Sequence, residues 1–331
     1  MTSWKGRRVL VTGAGGFIGS HVVERLVHSG ARVRALVHYN GRNDWGHIER
    51  LDQDVRESLD VVCGDVRDPF FCREAVKDQA VVMHLAALIA IPYSYVAPAE
   101  YVSTNVVGTL NILQACRDLG AEKVVHTSTS ETYGTARYVP IDEQHPLQGQ
   151  SPYAATKIGA DKLAESFYLA FGTPVATLRP FNTYGPRQSA RAVIPTIISQ
   201  LAAGRKTIRL GSLEPVRDLT FAQDTAAAFM AVAESPKTIG EVVNAGTGTG
   251  ISIGDLARLI ADVMGVRAEV ERDAARVRPE KSEVLRLVCS ADKIKALTGW
   301  APQTSLREGL ARTAEYVRRH LDLYKPEIYN L

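Results

Sequence analysis

The sequence lacks the features that would indicate a membrane, a metal or a nucleic-acid partner. No apolar run approaches the ~20 residues that span a bilayer, and no apolar core precedes the first predicted strand, so we expect a cytoplasmic protein without a signal peptide. The net charge of +3 is too small and too dispersed to indicate nucleic acid. The cysteines lack metal-type pairing, so we predict reduced thiols and no metal site. They are Cys63, Cys72, Cys116 and Cys289.

The composition of the chain is ordinary for a soluble globular protein. Of its 331 residues, 45% are hydrophobic and 23% are charged. Such a length allows a large core, and together with the composition it predicts one compact unit of two lobes.

A glycine-rich loop follows the first apolar run of the chain. The run Arg8–Thr12 is predicted to be a strand, and the loop has the spacing Gly13-x-x-Gly16-x-x-Gly19. An amphipathic helix comes next, which is the context of a dinucleotide-binding loop, where glycines let the backbone approach a pyrophosphate at a helix N-terminus. A glycine turn without a ligand is the alternative. The cofactor-binding residues predicted in this loop are Gly13, Gly16, Phe17, Ile18 and Gly19.

The second predicted strand, Arg32–Val37, is not followed by the acidic residue that would hold the adenosine ribose of NAD. Instead, His38 and Arg42 come after it, and either of these, or Arg34 within the strand, could contact the 2′-phosphate of NADP. This pattern favours NADP over NAD, although solvated basic residues would give the same pattern.

The ends of the third and fourth strands add further predicted cofactor contacts. Asp65 is placed to bond an adenine amino group, or else it caps the helix that follows. Small residues after the fourth strand leave room for a dinucleotide to lie across the strand ends. An aromatic-rich loop at residues 89–95 could line a substrate pocket, with a packed surface loop as the alternative. The predicted contacts are Asp65, Val66, Leu85, Ala86 and Ala87.

Hydroxyl groups and a carboxylate emerge together where the fifth predicted strand ends. The apolar run Lys123–His126 leads into Ser128–Gly134, which contains Thr129, Ser130 and Glu131. Ligands bind outside the carboxyl ends of the strands in open α/β sheets, so this cluster could reach a substrate. A plain turn, in which serine and threonine cap backbone groups, is the alternative.

A later predicted helix carries a tyrosine and a lysine on one face. Tyr153 and Lys157 are four residues apart, and Pro152 precedes them at a position that favours a helix start. An ammonium group beside a phenol stabilises the phenolate, so we expect a lowered pKa and a role as base for Tyr153. The catalytic residues predicted from both segments are Thr129, Ser130, Glu131, Tyr153 and Lys157.

Together these motifs resemble the extended short-chain dehydrogenase/reductases that act on nucleotide sugars, over nearly the whole chain. The triplet Thr129-Ser130-Glu131 resembles that of 4,6-dehydratases of the GDP-mannose type, whereas 4-epimerases carry small residues after the threonine. The region from residue 131 to 190 is most similar to dehydratases of the legionaminic and pseudaminic acid pathways. Further matching segments are Asn105-x-x-Gly108-Thr109, Arg179–Arg187, Arg217-Asp218 and Arg278-Pro279.

This resemblance implies an α/β fold with a Rossmann-type doubly wound parallel sheet and a smaller C-terminal α/β substrate lobe. We expect residues 1–180 to bind the dinucleotide and residues 181–331 to bind the nucleotide sugar, with some segments returning to the first domain. Members commonly form homodimers through two helices, here residues 105–119 and 153–171. Guanidinium groups match phosphate geometry. The predicted substrate-binding residues are Asn182, Arg187, Arg191, Arg217 and Arg278.

The resemblance also implies a redox-neutral dehydration of UDP- or GDP-linked N-acetylglucosamine to a 4-keto-6-deoxy sugar. Tyr153 would take the O4 proton while carbon 4 passes a hydride to NAD(P), Thr129 would hydrogen-bond O4, and Glu131 would remove the carbon 5 proton. Ser130 stands where related enzymes have an aspartic acid that protonates the departing O6, and a serine hydroxyl is too weak an acid for this task. Glu131 could pass its proton to O6, or Ser130 could relay one through water.

Three other functions stay open on the sequence. A dehydratase could release a 5,6-ene instead of returning the hydride to carbon 6. A UDP-glucuronate decarboxylase can carry a similar triplet, but it needs a cation for the substrate carboxylate and none stands out. A non-enzymatic dinucleotide sensor could retain the fold, although the intact pair Tyr153 and Lys157 argues against it.

Overall fold

Parallel strands form the centre of the computed structural model, which describes residues 4–277 and 279–328. The strands of this part of the chain are β1 (Arg8–Thr12), β2 (Arg32–His38), β3 (Asp60–Gly64), β4 (Val81–His84), β5 (Lys123–Thr127), β6 (Val175–Pro180), β7 (Asn182–Tyr184), β8 (Thr207–Leu210), β9 (Val216–Phe221), β10 (Val242–Ala245), β11 (Gly250–Ser252), β12 (Glu269–Arg272) and β13 (Arg286–Leu287).

Helices cover both faces of the sheet and fill the C-terminal part of the chain. The α-helices of the described residues are α1 (Phe17–His28), α2 (Gln53–Glu57), α3 (Pro69–Val76), α4 (Ile91–Val96), α5 (Pro98–Tyr101), α6 (Gly108–Leu119), α7 (Pro152–Phe171), α8 (Val193–Ala202), α9 (Ala222–Glu234), α10 (Ile253–Met264), α11 (Asp292–Thr298) and α12 (Leu306–Arg319). Residues Val102–Val107 form a π-helix, and short 3₁₀ helices span Gly46–Arg50, Ser130–Tyr133, Pro236–Thr238, Ala274–Arg276, Glu280–Ser282 and Leu321–Leu323.

The central sheet has seven strands in the order β10-β6-β5-β4-β1-β2-β3, and each neighbouring pair is parallel. The order reverses between β1 and β4, which opens a crevice at the carboxyl ends of these strands. Helices α3, α6 and α7 pack on one face, and α1, α9 and α11 pack on the other. The predicted Rossmann-type α/β fold is therefore confirmed.

A sheet covered on both faces buries its strands along their whole length. Every residue of β4 and β6 is buried, and β5 is buried from Lys123 to His126. Most of these residues are apolar, and the buried polar residues among them include His84, His126 and Arg179. Val9 and Val11 of β1 face one layer of helices, while Leu10 between them faces the other. Alternate residues of one strand thus contribute to two separate cores.

The smaller lobe is built around β9, which pairs with β7, β11 and β13. Strands β8 and β12 form a separate pair, and helices α8, α10 and α12 pack together into the core of this lobe. Elements α9, β10 and α11 return to the large sheet, where β10 pairs with β6. The chain therefore passes between the two lobes more than once after residue 180.

Two local predictions about helices are wrong. The aromatic segment 89–95, expected as a loop, contains most of helix α4, which begins at Ile91 and has Pro92 in its first turn. The helix expected to begin at Asn105 is preceded by α5 and the π-helix, and α6 itself begins at Gly108. The side chain of Asn105 explains the irregular geometry, because it is turned inward to bond both backbone groups of Leu88, at 2.9 and 3.0 Å.

The glycine loop brings β1, α1 and the end of β4 into direct contact. Gly13 has a positive φ of 67°, and a Cβ atom there would lie 2.8 Å from the backbone nitrogen of Ala86. A Cβ atom on Gly19, in the first turn of α1, would collide with the carbonyl oxygen of Gly13. Both glycines are therefore required by the close approach of backbone segments.

We predict that Gly19→Ala destabilises the protein by about 1–3 kcal/mol, because backbone atoms cannot give way to the new methyl group. Gly159→Ala is the matched control, since Gly159 also lies inside a helix but its Cβ position meets only the Val106 side chain at 3.5 Å. That change should be neutral or stabilise by up to ~1 kcal/mol. Urea unfolding of both variants measures the difference, and equal stabilities would contradict the packing argument.

Candidate active site

The turn after β5 presents the hydroxyl and carboxylate groups that the sequence singles out. Thr129 caps the 3₁₀ helix that follows it: its Oγ1 accepts a hydrogen bond from the Glu131 backbone nitrogen at 3.3 Å. The Thr132 hydroxyl donates to the Thr129 carbonyl at 2.7 Å. Ser130 and Glu131 are 2% and 8% exposed. The turn is thus a buried, internally bonded segment at the carboxyl end of the sheet.

Tyr153 lies against this turn, at the start of α7. Ser151 caps the helix through a 3.1 Å hydrogen bond from the Ala154 backbone nitrogen to its Oγ. The phenol of Tyr153 faces Thr129, which lowers the pKa of the phenol, and its ring meets the edge of the Tyr101 ring with centroids 6.3 Å apart. The structure therefore brings together Thr129 and Tyr153, as the sequence predicts.

The expected lowering of the Tyr153 pKa is wrong for this arrangement. Burial raises the pKa of Tyr153, and the charge of Glu131 raises it further; Thr129 offsets only part of the increase. Lys157 does not compensate, because its Nζ donates to the backbone carbonyl of Thr127 at 2.6 Å. Burial lowers the pKa of Lys157 to about 8, against the opposing influence of Asp161.

Asp161, one helical turn beyond Lys157, is the centre of a buried polar network that the sequence analysis missed. Its Oδ1 accepts from His126 Nε2 at 3.0 Å, and its Oδ2 accepts from Ser128 Oγ at 2.6 Å and from Arg179 Nη2 at 2.8 Å. Burial alone would raise the pKa of Asp161, but the His126 hydrogen bond and the Arg179 charge lower it to about 2. The carboxylate is therefore ionised at neutral pH.

The same network extends to the far end of the turn after β5. Arg179 Nη1 donates to the hydroxyl of Tyr133 at 3.0 Å, and that hydroxyl donates to Asn244 Oδ1 at 2.8 Å. The four-residue spacing of Tyr153, Lys157 and Asp161 is the sequence signal that could have indicated Asp161. Arg179 begins one of the segments that match the resembled family, but its bonds to Asp161 and Tyr133 join distant parts of the chain and have no local signal.

The dinucleotide loop offers backbone donors where a pyrophosphate would bind. Gly16 precedes α1, and within residues 4–277 and 279–328 no side chain caps this helix start. The first N–H groups of α1 are therefore available to an anion, and the glycines leave the space that a phosphate needs. The residues present thus fit a dinucleotide, through the predicted positions Gly13, Gly16, Phe17, Ile18 and Gly19.

Hydrogen bonds fix the strand ends beside that loop. Thr12 Oγ1 accepts from the backbone nitrogens of Leu85 and Ala86, at 3.1 and 3.0 Å, and lies 2.8 Å from His84 Nδ1. Burial holds the pKa of His84 well below its usual range, so Nδ1 of the neutral ring accepts from the Thr12 hydroxyl. The carboxyl ends of β1 and β4, which flank the crevice, are thereby held together.

At the ends of β2 and β3, Asp65 is engaged with basic residues. Arg67 donates to its carboxylate through Nε at 2.9 Å and Nη2 at 2.6 Å, and His38 Nε2 lies 3.4 Å away. The alternative that Asp65 caps the next helix is wrong, because Asp68 caps α3. Contact of Asp65 with an adenine stays a prediction, as do those of Val66, Ala87 and the exposed Arg42.

The predicted substrate ligands have unequal surroundings. The Asn182 side-chain oxygen is buried and accepts no hydrogen bond from the described part of the chain. Arg217 donates to the Val216 carbonyl at 3.1 Å and to Glu283 at 3.4 Å. Arg191 is exposed, and its charge lowers the pKa of Tyr101 against the larger, opposite effect of burial. Arg278 lies outside the described residues.

Arg187 is held by helix α1. Its Nη2 donates to Glu24 Oε2 at 2.6 Å and to His21 Nδ1 at 2.5 Å, and His21 Nε2 donates to the Pro186 carbonyl at 3.0 Å. Burial and the charge of Arg187 lower the pKa of His21 to about 3, consistent with a neutral ring. Arg187 therefore joins the segment after β7 to the dinucleotide helix, and its contact with the diphosphate stays a prediction.

Two features are absent from the described residues. None of their helices is both long and apolar enough to cross a membrane. They also contain no group of three or more histidine, cysteine, aspartate or glutamate side chains that could hold a metal ion.

Comparison with known proteins agrees with this arrangement. The family described as GDP-mannose 4,6 dehydratase matches residues 10–313. The chain belongs to the extended short-chain dehydrogenase/reductases. Within that family its relatives are NAD-dependent nucleotide-sugar epimerases and dehydratases, so it is a nucleotide-sugar-modifying enzyme of one of these two kinds.

Relatives of both kinds cover nearly the whole chain. The dTDP-D-glucose 4,6-dehydratase of Homo sapiens is 30% identical over 96% of this chain and 92% of its own length. The UDP-glucose 4-epimerase of Mycolicibacterium smegmatis is 34% identical over 94% of this chain and 98% of its own. Among solved structures, DesIV, a dTDP-glucose 4,6-dehydratase from Streptomyces venezuelae with NAD bound, has a TM-score of 0.85 at 31% identity, covering 96% of this chain and 99% of DesIV. The expected preference for NADP gains no support.

We predict that Arg187→Ala destabilises this short-chain dehydrogenase/reductase by about 1.5–3 kcal/mol, since charge-assisted bonds to Glu24 and His21 are lost. Arg191→Ala is the control, because the Arg191 side chain is exposed and, among the described residues, bonds only Ser189 Oγ, at 3.2 Å. Its effect should stay within about 0.5 kcal/mol. Urea unfolding measures both effects, and calorimetry measures binding of UDP. If Arg187→Ala weakened UDP binding and left stability unchanged, Arg187 would be a phosphate ligand after all.

Proposed function

We propose that the protein is an NAD-dependent 4,6-dehydratase that converts UDP- or GDP-linked N-acetylglucosamine into a 4-keto-6-deoxy sugar. The position of Glu131 carries this proposal. Its carboxylate lies on the same turn as Thr129, close enough to Tyr153 to raise the pKa of the phenol. No donor in the described part of the chain hydrogen-bonds this carboxylate, so it is free to act on a substrate.

Elimination requires one base more than epimerisation does. Oxidation at carbon 4 needs a group that accepts the O4 proton, and Tyr153 with Thr129 supplies it in either reaction. Loss of water from carbons 5 and 6 also needs a base for the carbon 5 proton, made acidic by the neighbouring ketone. A buried glutamate beside Tyr153 supports the dehydratase because a 4-epimerase has no use for it.

The residues of this chain would have distinct roles in the first step. Tyr153 accepts the O4 proton, and Thr129 holds O4 by a hydrogen bond. The Lys157 ammonium donates to the Thr127 carbonyl and so holds the end of β5, two residues before Thr129. Bound NAD, held at the glycine loop and the start of α1, supplies the hydride acceptor for carbon 4 and the hydride donor for carbon 6.

Glu131 would carry the carbon 5 proton to O6, and the carbon 6–oxygen bond would break with loss of water. Carbon 5 then regains a proton, and the proton that Tyr153 took from O4 supplies it. The sugar therefore loses one water, and its overall oxidation state is unchanged. Ser130 is not matched to protonate O6, because a hydroxyl is too weak an acid. Glu131 therefore acts as both base and acid in this proposal.

The competing candidate is a 4-epimerase, and Ser130 is the observation that favours it. An epimerase needs no acid at this position, and epimerases are among the relatives of this chain. Both activities begin with the same oxidation at carbon 4. They differ in whether the product has lost water, which mass spectrometry distinguishes directly.

We predict that the protein with NAD converts UDP-N-acetylglucosamine, or its GDP analogue, into a product lighter by one water. Glu131→Gln should slow water loss by about 10²–10⁴-fold, the usual contribution of a positioned acid or base. Oxidation at carbon 4 should persist in that variant, seen as absorbance of the reduced cofactor. Glu122→Gln, a surface change whose carboxylate bonds Arg7, should leave the rate unchanged.

Three outcomes would contradict the dehydratase. An isomer of unchanged mass would identify a 4-epimerase. Release of carbon dioxide from UDP-glucuronate would identify a decarboxylase. Full activity of Tyr153→Phe in the biological process, with no turnover of any nucleotide hexose, would favour a dinucleotide sensor.

A further inference from the structure

We propose that Asp161 and Arg179 are positioning residues of the active site, because this one buried ion pair holds both ends of the turn that carries Thr129 and Glu131. The inference deepens the proposed function and rests on it only in that this turn acts on the substrate. It applies equally to a dehydratase and to a 4-epimerase, since both use Thr129 and Tyr153.

The start of the turn is fixed by Ser128. This residue is 4% exposed, and its hydroxyl donates to Asp161 Oδ2 at 2.6 Å. Its backbone nitrogen donates to the Leu178 carbonyl of β6 at 2.7 Å. Ser128 is therefore tied to α7 through its side chain and to β6 through its backbone, immediately before Thr129.

The end of the turn is fixed by Tyr133, which is fully buried. Its hydroxyl accepts from Arg179 Nη1 at 3.0 Å and donates to Asn244 Oδ1 at 2.8 Å, and the guanidinium carbon lies 5.0 Å from the ring centroid. Arg179 also donates to Asp161 through Nε at 3.1 Å and Nη2 at 2.8 Å. One guanidinium group thus connects Tyr133 to the carboxylate that holds Ser128.

Only four residues, 129 to 132, lie between these two anchors. Their backbone is short and internally bonded, so a shift at either anchor moves the Thr129 hydroxyl and the Glu131 carboxylate relative to Tyr153. Displacement of a catalytic group by about 1 Å can cost on the order of 10²-fold in rate. The network touches none of the substrate-facing groups itself, so its effect on catalysis is indirect.

Asp161 has a second connection to the site through Lys157, which precedes it by one turn of α7. The charge of Asp161 favours the ammonium form of Lys157, whereas burial of Lys157 disfavours that form. Loss of the Asp161 charge would therefore let Lys157 release its proton at a lower pH. The titratable or charged groups that face this pair from the surrounding elements are His84 of β4, His126 of β5, Arg179 of β6, Tyr133 of the turn and Tyr153 of α7.

The first test removes one anchor at a time without changing any charge. Ser128→Ala removes the hydroxyl at the start of the turn, and Tyr133→Phe removes the hydroxyl at its end. The controls are Ser199→Ala and Tyr184→Phe, which remove buried hydroxyls bonded to the carbonyls of Thr196, at 3.3 Å, and Leu306, at 3.2 Å.

Two measurements on the full-length proteins are compared. Hydrogen exchange by mass spectrometry reports the mobility of the peptide covering residues 128–134. Steady-state kinetics with UDP-N-acetylglucosamine and NAD report kcat and KM. We expect faster exchange in both anchor variants and a fall of about 10- to 100-fold in kcat with little change in KM. The controls should match the wild type in both measurements.

Each result decides a different point. Unchanged exchange at 128–134 in both anchor variants would overturn the inference, and so would faster exchange with unchanged kcat. If the wild type turns over no nucleotide sugar, the proposed function fails. In that case the exchange data still decide whether the ion pair holds the turn.

A second test uses Asp161→Asn, which removes the charge while preserving the shape of the side chain. Activity that needs the Lys157 ammonium falls as the pH rises through the pKa of Lys157, about 8 in the wild type. We expect the variant to lose activity at a lower pH, whereas a purely structural defect would lower activity equally at every pH. If the fall in activity at high pH occurred at the same pH in the variant and the wild type, the connection between Asp161 and Lys157 would be refuted. If this variant does not fold, Ser128→Ala and Tyr133→Phe decide the proposal.

Discussion

The buried ion pair between Arg179 and Asp161 is the interaction on which the active site depends. Removing two charges from water costs several kcal/mol for each ion, and only a complete set of hydrogen bonds offsets that cost. Here Asp161 accepts from His126, Ser128 and Arg179, and Arg179 is bonded on to Tyr133. Loss of one partner of such a pair costs ~3–5 kcal/mol, a large share of the ~5–15 kcal/mol that stabilises a protein. The network thus links folding stability to the geometry of the catalytic turn.

A second hydrogen-bonded junction, between the ends of β1 and β4, holds together the strands that flank the dinucleotide crevice. There the neutral ring of His84 lies between Thr12 and Thr109, at 2.8 and 3.1 Å. The rings of His84 and His126 have centroids only 6.1 Å apart, so the two junctions are neighbours across β4 and β5. Buried polar side chains of the sheet therefore lie next to both the glycine loop and the turn after β5. Nδ1 of His126 is buried and has no hydrogen-bond partner among the described residues, which adds an energetic cost to this network.

Features that depend on short stretches of sequence could be predicted, whereas features that depend on strand order could not. The glycine loop and the pair Tyr153 and Lys157 are local patterns, and the family resemblance that they support implied the α/β fold. The bonds from Arg187 to His21 and Glu24 join residues more than 160 positions apart, and no local pattern marks them. The predicted lowering of the Tyr153 pKa was wrong for a related reason. Sequence spacing shows the neighbouring ammonium, but burial is a property of the assembled fold.

The anchoring of the turn also bears on how one scaffold serves both dehydratases and epimerases. The anchors at Ser128 and Tyr133 fix the backbone between them, so side chains at 130 and 131 can change without moving Thr129 or the turn. Oxidation at carbon 4 then remains possible, while the groups at 130 and 131 decide the fate of the ketone. A glutamate adds a base and permits elimination, whereas small residues leave only the return of hydride to carbon 4.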